Sequence, residues 1–140
     1  MVNITINNLQ KRLPIPKIRV KKLILKIIKG EGLKITGFIN LCFTDNILIK
    51  KLNLKFLKNN NPTDVLAFNL GDKKTKYGLL ADIVISTDTA ITNARSFKTC
   101  PEDELLLYVA HGLLHILGFN DHTKTETQLM RKKEREYADR

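Results

Sequence analysis

Hydrophobic positions change period along this chain, and each change marks a new element. Val2 to Ile6 alternates apolar and polar residues, the period of a half-buried strand. The Pro14-Ile-Pro16 pair leads into a basic helix whose Ile18, Val20, Leu23, Ile24, Ile27 and Ile28 form a broad apolar face and which stops at Gly30 or Gly32. Ile35 to Phe43 is apolar and rich in strand formers. Thr44 or Asp45 is placed to cap a helix to about Leu57, with Ile47, Leu48, Leu52 and Phe56 expected inward. After the break at Asn59-Asn-Asn-Pro62, Asp64 to Leu70 and Leu79 to Ser86 read as two strands of a hairpin, joined by the polar stretch from Gly71 to Gly78. Ser86 or Thr87 can cap a helix to about Phe97. Pro101-Glu-Asp-Glu104 opens an apolar helix through Leu117 with acidic residues at its positive end, and a last helix spans about Thr125 to Tyr137. The pattern predicts an α+β fold, a small mixed β-sheet flanked by helices.

A length of 140 residues suits one core, so residues 1–140 are expected to form a single domain. The chain shows no secretory pattern at Met1-Val-Asn-Ile-Thr-Ile6 and no apolar window near the ~18 residues of a membrane span, which predicts a soluble, cytoplasmic protein with no membrane partner. Cys42 and Cys100 form no Cys-x-x-Cys pair and are expected to be reduced packing residues.

Charge is informative once it is divided. Residues 1–60 hold 13 Lys and Arg against Glu31 and Asp45, whereas residues 61–140 hold 11 against 12 acidic residues. A basic half joined to a neutral half points to a polyanionic substrate or partner, and nucleic acid is the expected one. The same lysines could instead solvate ordinary helix faces or reflect compositional bias, and residues 17–29 could form a membrane-surface helix, although packing against a core explains them as well.

The candidate chemistry lies in His111-Gly-Leu-Leu-His115-Ile-Leu-Gly118-Phe-Asn-Asp121-His122, which contains all three histidines of the chain. On a helix, His111 and His115 share one face, and Gly118 can end that helix and turn the chain so that Asp121 or His122 reaches the same ion. Two imidazoles and a third donor suit one Zn2+, although nickel, iron or manganese accept the same donors. Three protein ligands leave a position open for water that the ion makes nucleophilic, so hydrolysis is the expected chemistry, with His111 catalytic as well as metal-binding. A buried histidine pair bonded to backbone is the structural alternative. A closed structural zinc site would normally use cysteines. A metalloprotease helix carries glutamate after its first histidine, but here that residue is Gly112, which leaves a peptidase without its base.

Pro62-Thr-Asp-Val-Leu-Ala-Phe68, Leu80-Ala-Asp-Ile-Val-Ile-Ser86 and His111 to His122 together resemble the three signature regions of the YbeY family, in the same order and over nearly the whole chain. The resemblance implies that family's fold and a zinc-dependent, single-strand-specific endoribonuclease acting in late 16S rRNA 3′-end maturation and ribosome quality control. It also implies contact with the small ribosomal subunit, its protein S11 and the GTPase Era. The family's metal motif is His-x-x-x-His-x-x-Gly-x-x-His. Gapless counting puts Asp121 at the last position and is the preferred register, whereas one inserted residue would put His122 there. The family commonly has arginine five residues before the proline equivalent to Pro62, but this chain has Leu57; either Lys55 or Lys58 then supplies positive charge to RNA or both are solvated helix-end lysines, and nuclease activity is expected to be weaker or reliant on the ribosome. The competing expectation is a non-catalytic, zinc-containing, rRNA-binding ribosome-assembly factor.

Overall fold

The computed structural model describes residues 2–34, 36–71 and 78–138. Its elements run β1 (Val2–Asn8), α1 (Lys17–Gly30), β2 (Gly37–Thr44), α2 (Asn46–Leu57), β3 (Val65–Asn69), β4 (Leu79–Ser86), α3 (Thr87–Phe97), α4 (Pro101–Ile116) and α5 (Lys124–Ala138). The strands form one mixed sheet in the order β1-β2-β4-β3, with β1, β2 and β4 parallel and β3 antiparallel on the edge beside β4. The α+β expectation and the β3–β4 hairpin are both met. Ile35, the expected start of β2, and residues 72–77 of the hairpin connection lie outside the described residues.

Alternation in the strands assigns the two faces. Ile39, Leu41 and Phe43 of β2 and Ala81, Ile83 and Ile85 of β4 join the main core with Val20, Leu23, Ile24 and Ile27 of α1 and the apolar side of α4. The opposite face is smaller: Ile49 of α2 packs with Leu66 and Val84, bordered by Leu52 and Phe68. Asp45 caps α2, its carboxylate accepting the Leu48 N–H at 3.0 Å, but the inward face differs from expectation. Ile47 and Phe56 are 68% and 54% exposed, while Ile49 and Asn53 are buried. The helix is apolar on several sides, so periodicity could not choose the buried one; the Asn53 amide decides by donating to the Asn61 carbonyl at 2.8 Å. Cys100 is also exposed, not packed, because it stands just outside α4 as the residue before Pro101; Cys42 is half-buried.

Helix α4 lies close against β3 and β4. A Cβ on Gly112 would sit 3.0 Å from Ile83 Cγ2 and 3.1 Å from Val65 Cγ2, so glycine lets the histidine-bearing helix approach the sheet. No helix among the described residues is long and apolar enough to cross a membrane.

Candidate metal centre

His111 and His115 lie one turn apart on α4, their rings edge to face with centroids 4.6 Å apart and their Nε2 atoms separated by 3.0 Å. The helix then closes with a paired-bond turn: the Gly118 N–H donates to the His115 carbonyl and the Phe119 N–H to the Leu114 carbonyl, each at 3.0 Å. Gly118 has φ of 105°, a conformation that a Cβ would oppose. Phe119 packs at the core edge, and the reversed chain brings Asp121 Oδ2 to 3.6 Å from His111 Nε2 and 3.5 Å from His115 Nε2. Helix α5 holds this turn from the other side. Thr123 and Glu126 form a reciprocal capping box, with bonds of 3.0 and 3.1 Å, and Thr127 Oγ1 lies 3.1 Å from the Asp121 carbonyl.

These three side chains fit a metal. Their donor atoms lie within 4.8 Å of one another, and a tetrahedral ion with bonds of about 2.0–2.2 Å would hold its donors about 3.3–3.6 Å apart. The donor set of two imidazoles and a carboxylate suits a borderline divalent ion such as zinc. His122 is exposed and stands outside the group.

A fourth residue escaped the sequence reading. Glu134 of α5 is largely buried and accepts from His111 Nδ1 at 2.5 Å. With the Nδ1 proton directed to that carboxylate, His111 Nε2 presents its lone pair to the donor group. Burial pushes the His111 pKa down, but the Glu134 hydrogen bond and the charges of Glu134, Asp64 and Asp121 outweigh it and leave the imidazole above its ordinary value. The only hint in the sequence was an acidic residue within the cationic run from Arg131 to Arg135.

Members of the group line two hollows. A cleft of about 530 Å³ has His111, Asp121 and Glu134 on its wall, together with Asp64, Arg131 and Arg135. A second hollow of about 350 Å³ is lined by His115, Leu57 and residues of the edge strand β3. Leu57 thus faces the same space as His115. Lys55 instead places its ammonium 5.2 Å from the Phe56 ring centroid, and Lys58 occupies the left-handed C-cap of α2; neither lines these hollows.

The mixed sheet, the imidazole pair and the returning aspartate beside an open cleft are those of an α+β enzyme with a candidate hydrolytic metal centre. Residues 5–140 match the family model described as Endoribonuclease YbeY. Relatives carrying that name include one from Christiangramia forsetii, 40% identical over 79% of this chain and 75% of its own length, and one from Syntrophus aciditrophicus, 36% identical over 95% and 86%. The solution structure of TM1509 from Thermotoga maritima superimposes with a TM-score of 0.64 at 28% identity, covering 99% of this chain and 87% of that one. The chain belongs to the endoribonuclease YbeY family, which makes it a hydrolase of the nuclease class.

Proposed function

We propose that this chain is a zinc-dependent, single-strand-specific endoribonuclease of late 16S rRNA 3′-end maturation and ribosome quality control, with residues 1–140 acting as one domain in the cytoplasm. The observation that carries this reading is the convergence of His111 Nε2, His115 Nε2 and Asp121 Oδ2 at separations of 3.0–3.6 Å beside an open cleft, in a chain of this family. When bound, the ion would supply Lewis acidity toward a phosphoryl oxygen and a lowered pKa for water. His111 and His115 hold two positions from a helix anchored on the sheet, Asp121 supplies the third from the turn, and Glu134 fixes the orientation of His111. Gly112 is buried against β3 and β4, so the residue after the first histidine cannot serve as a peptidase-type base. Small-subunit protein S11 and the GTPase Era are the partners this reading takes from the family.

One observation favours the second reading, a non-catalytic assembly factor: Leu57 puts an apolar side chain, not a cation, in the hollow beside His115. Cleavage of a labelled single-stranded RNA spanning the 16S 3′ end separates the two. The enzyme reading expects cleavage that disappears in a folded His115→Ala protein and on chelation without unfolding. A zinc-loaded wild type that leaves this RNA intact, free and within the small subunit, supports the assembly factor.

A further inference from the structure

Helix α5 presents a ridge to the cleft that the metal group does not use. Thr127, Arg131 and Arg135 follow at i+4 spacing and therefore stack along one face, while Met130, Glu134 and Tyr137 occupy the neighbouring inward row. Both arginines are exposed, line the cleft beside His111 and Asp121, and have no ion-pair partner among the described residues. Their neighbour Lys133 is already engaged, 3.0 Å from Glu31. Phe97, the last residue of α3, lines the same cleft and is 63% exposed. Free guanidinium groups beside an exposed aromatic ring match what single-stranded nucleic acid needs, cations for phosphates and a flat apolar surface for a base.

The cleft's charge supports an anionic occupant once a metal is held. Asp64, Asp121 and Glu134 oppose Arg131 and Arg135, so with neutral histidines the lining carries one net negative charge, which a divalent ion would reverse. Without the two arginines the loaded lining would remain negative and repel a phosphate chain.

We propose that Arg131, Arg135 and Phe97 form an RNA-strand subsite adjoining the metal group, the guanidinium groups holding phosphates next to the cleaved one and the Phe97 ring stacking a base. This rests on the endoribonuclease reading above. It places the cations that contact the strand in the electrically neutral half of the sequence, in a cleft that Leu57 does not line.

The test is fluorescence anisotropy of a short 2′-O-methylated single-stranded RNA, shown intact on a gel after each titration, with the zinc-loaded full chain at several salt concentrations. Arg131→Ala/Arg135→Ala is compared with the wild type, Phe97→Ala and Lys50→Ala/Lys51→Ala, a charge-matched exposed pair on α2, at matched zinc content and circular dichroism. The double arginine variant is expected to bind about tenfold or more weakly and to lower the logarithmic salt slope by about 1.4, the value for two phosphates on a single strand. Phe97→Ala is expected to weaken binding about five- to tenfold without changing that slope. Arginine variants that bind like the wild type, or lose no more than the Lys50/Lys51 control, overturn the subsite while the nuclease reading stands. A wild type that neither binds nor cleaves RNA removes both.

Discussion

His111 Nδ1 and Glu134 Oε1 lie 2.5 Å apart, joining α4 to α5 across the back of the donor group. The contact sets which imidazole nitrogen carries the proton and prevents the ring from turning away. Glu134→Ala is expected to keep the fold and lower zinc affinity about 10–100-fold, measured by competition with a chromophoric chelator. Affinity equal to the wild type would reduce this contact to packing between helices.

Asp121 and His122 are adjacent in sequence but differently placed: Asp121 Oδ2 lies within 3.6 Å of both histidine Nε2 atoms, whereas His122 stands outside the group. Asp121→Ala should lose most bound zinc, and His122→Ala should retain about one ion per chain by elemental analysis. The opposite result would show that the turn rearranges around an inserted residue.

Gly112 makes the peptidase alternative testable through stability. Alanine there gains about 1 kcal/mol of helix propensity but meets Ile83 and Val65 at 3.0 and 3.1 Å, so a small net loss is expected. Gly112→Glu buries a carboxylate against the sheet and should cost more than about 3 kcal/mol in urea unfolding without creating peptidase activity. Unchanged stability would mean that α4 can lift from the sheet.

Leu57 is 58% exposed and borders the hollow beside His115, so a longer side chain can enter that space at little cost to the fold. Leu57→Arg would add a forked cation for the phosphate and is expected to raise kcat/KM for single-stranded RNA by about tenfold. An unchanged or lower value would indicate that this hollow does not hold the reacting phosphate.

Glu31 staples the end of α1 to α5, accepting from Lys133 Nζ at 3.0 Å and from the Tyr137 hydroxyl. Burial raises its pKa, but the bonds from Tyr137 and Lys133 prevail and lower it below the ordinary 4.5. A carboxylate with a depressed folded pKa contributes stability above its unfolded pKa and loses that contribution as pH falls through the folded one. Glu31→Gln should therefore cost no more than about 1 kcal/mol at neutral pH, with the difference from wild type shrinking below about pH 4.5. A difference independent of pH between 3 and 7 would assign the effect to neutral hydrogen bonding.

Strongly periodic elements were legible in the sequence. The apolar, strand-forming runs of β2 and β4 and the apolar run of α4 marked buried elements, and the glycine after the histidine pair marked the turn that brings Asp121 back. Helix α2 was less legible because apolar residues surround it, and a hydrogen bond from Asn53 selects its inward face. The start of α5 was readable from the Thr123-Lys-Thr-Glu126 capping box, one residue earlier than the expected start at Thr125. Glu134, Arg131 and Arg135 were not. Their proximity to the histidines depends on how α5 packs against α4, a tertiary relationship that local periodicity does not encode.

The Thr127 hydroxyl, in the first turn of α5, is shared between the Thr123 carbonyl at 2.9 Å and the Asp121 carbonyl at 3.1 Å, whereas both histidines ride on α4. An ion held by all three side chains would close a ring through the end of α4 and the turn that leads into α5. Metal supply would then govern how often α5 breathes away from the core, as slower amide exchange along that helix would report. Starved of its ion, the enzyme would be softer at its C-terminal end as well as idle, and more readily cleared by proteolysis.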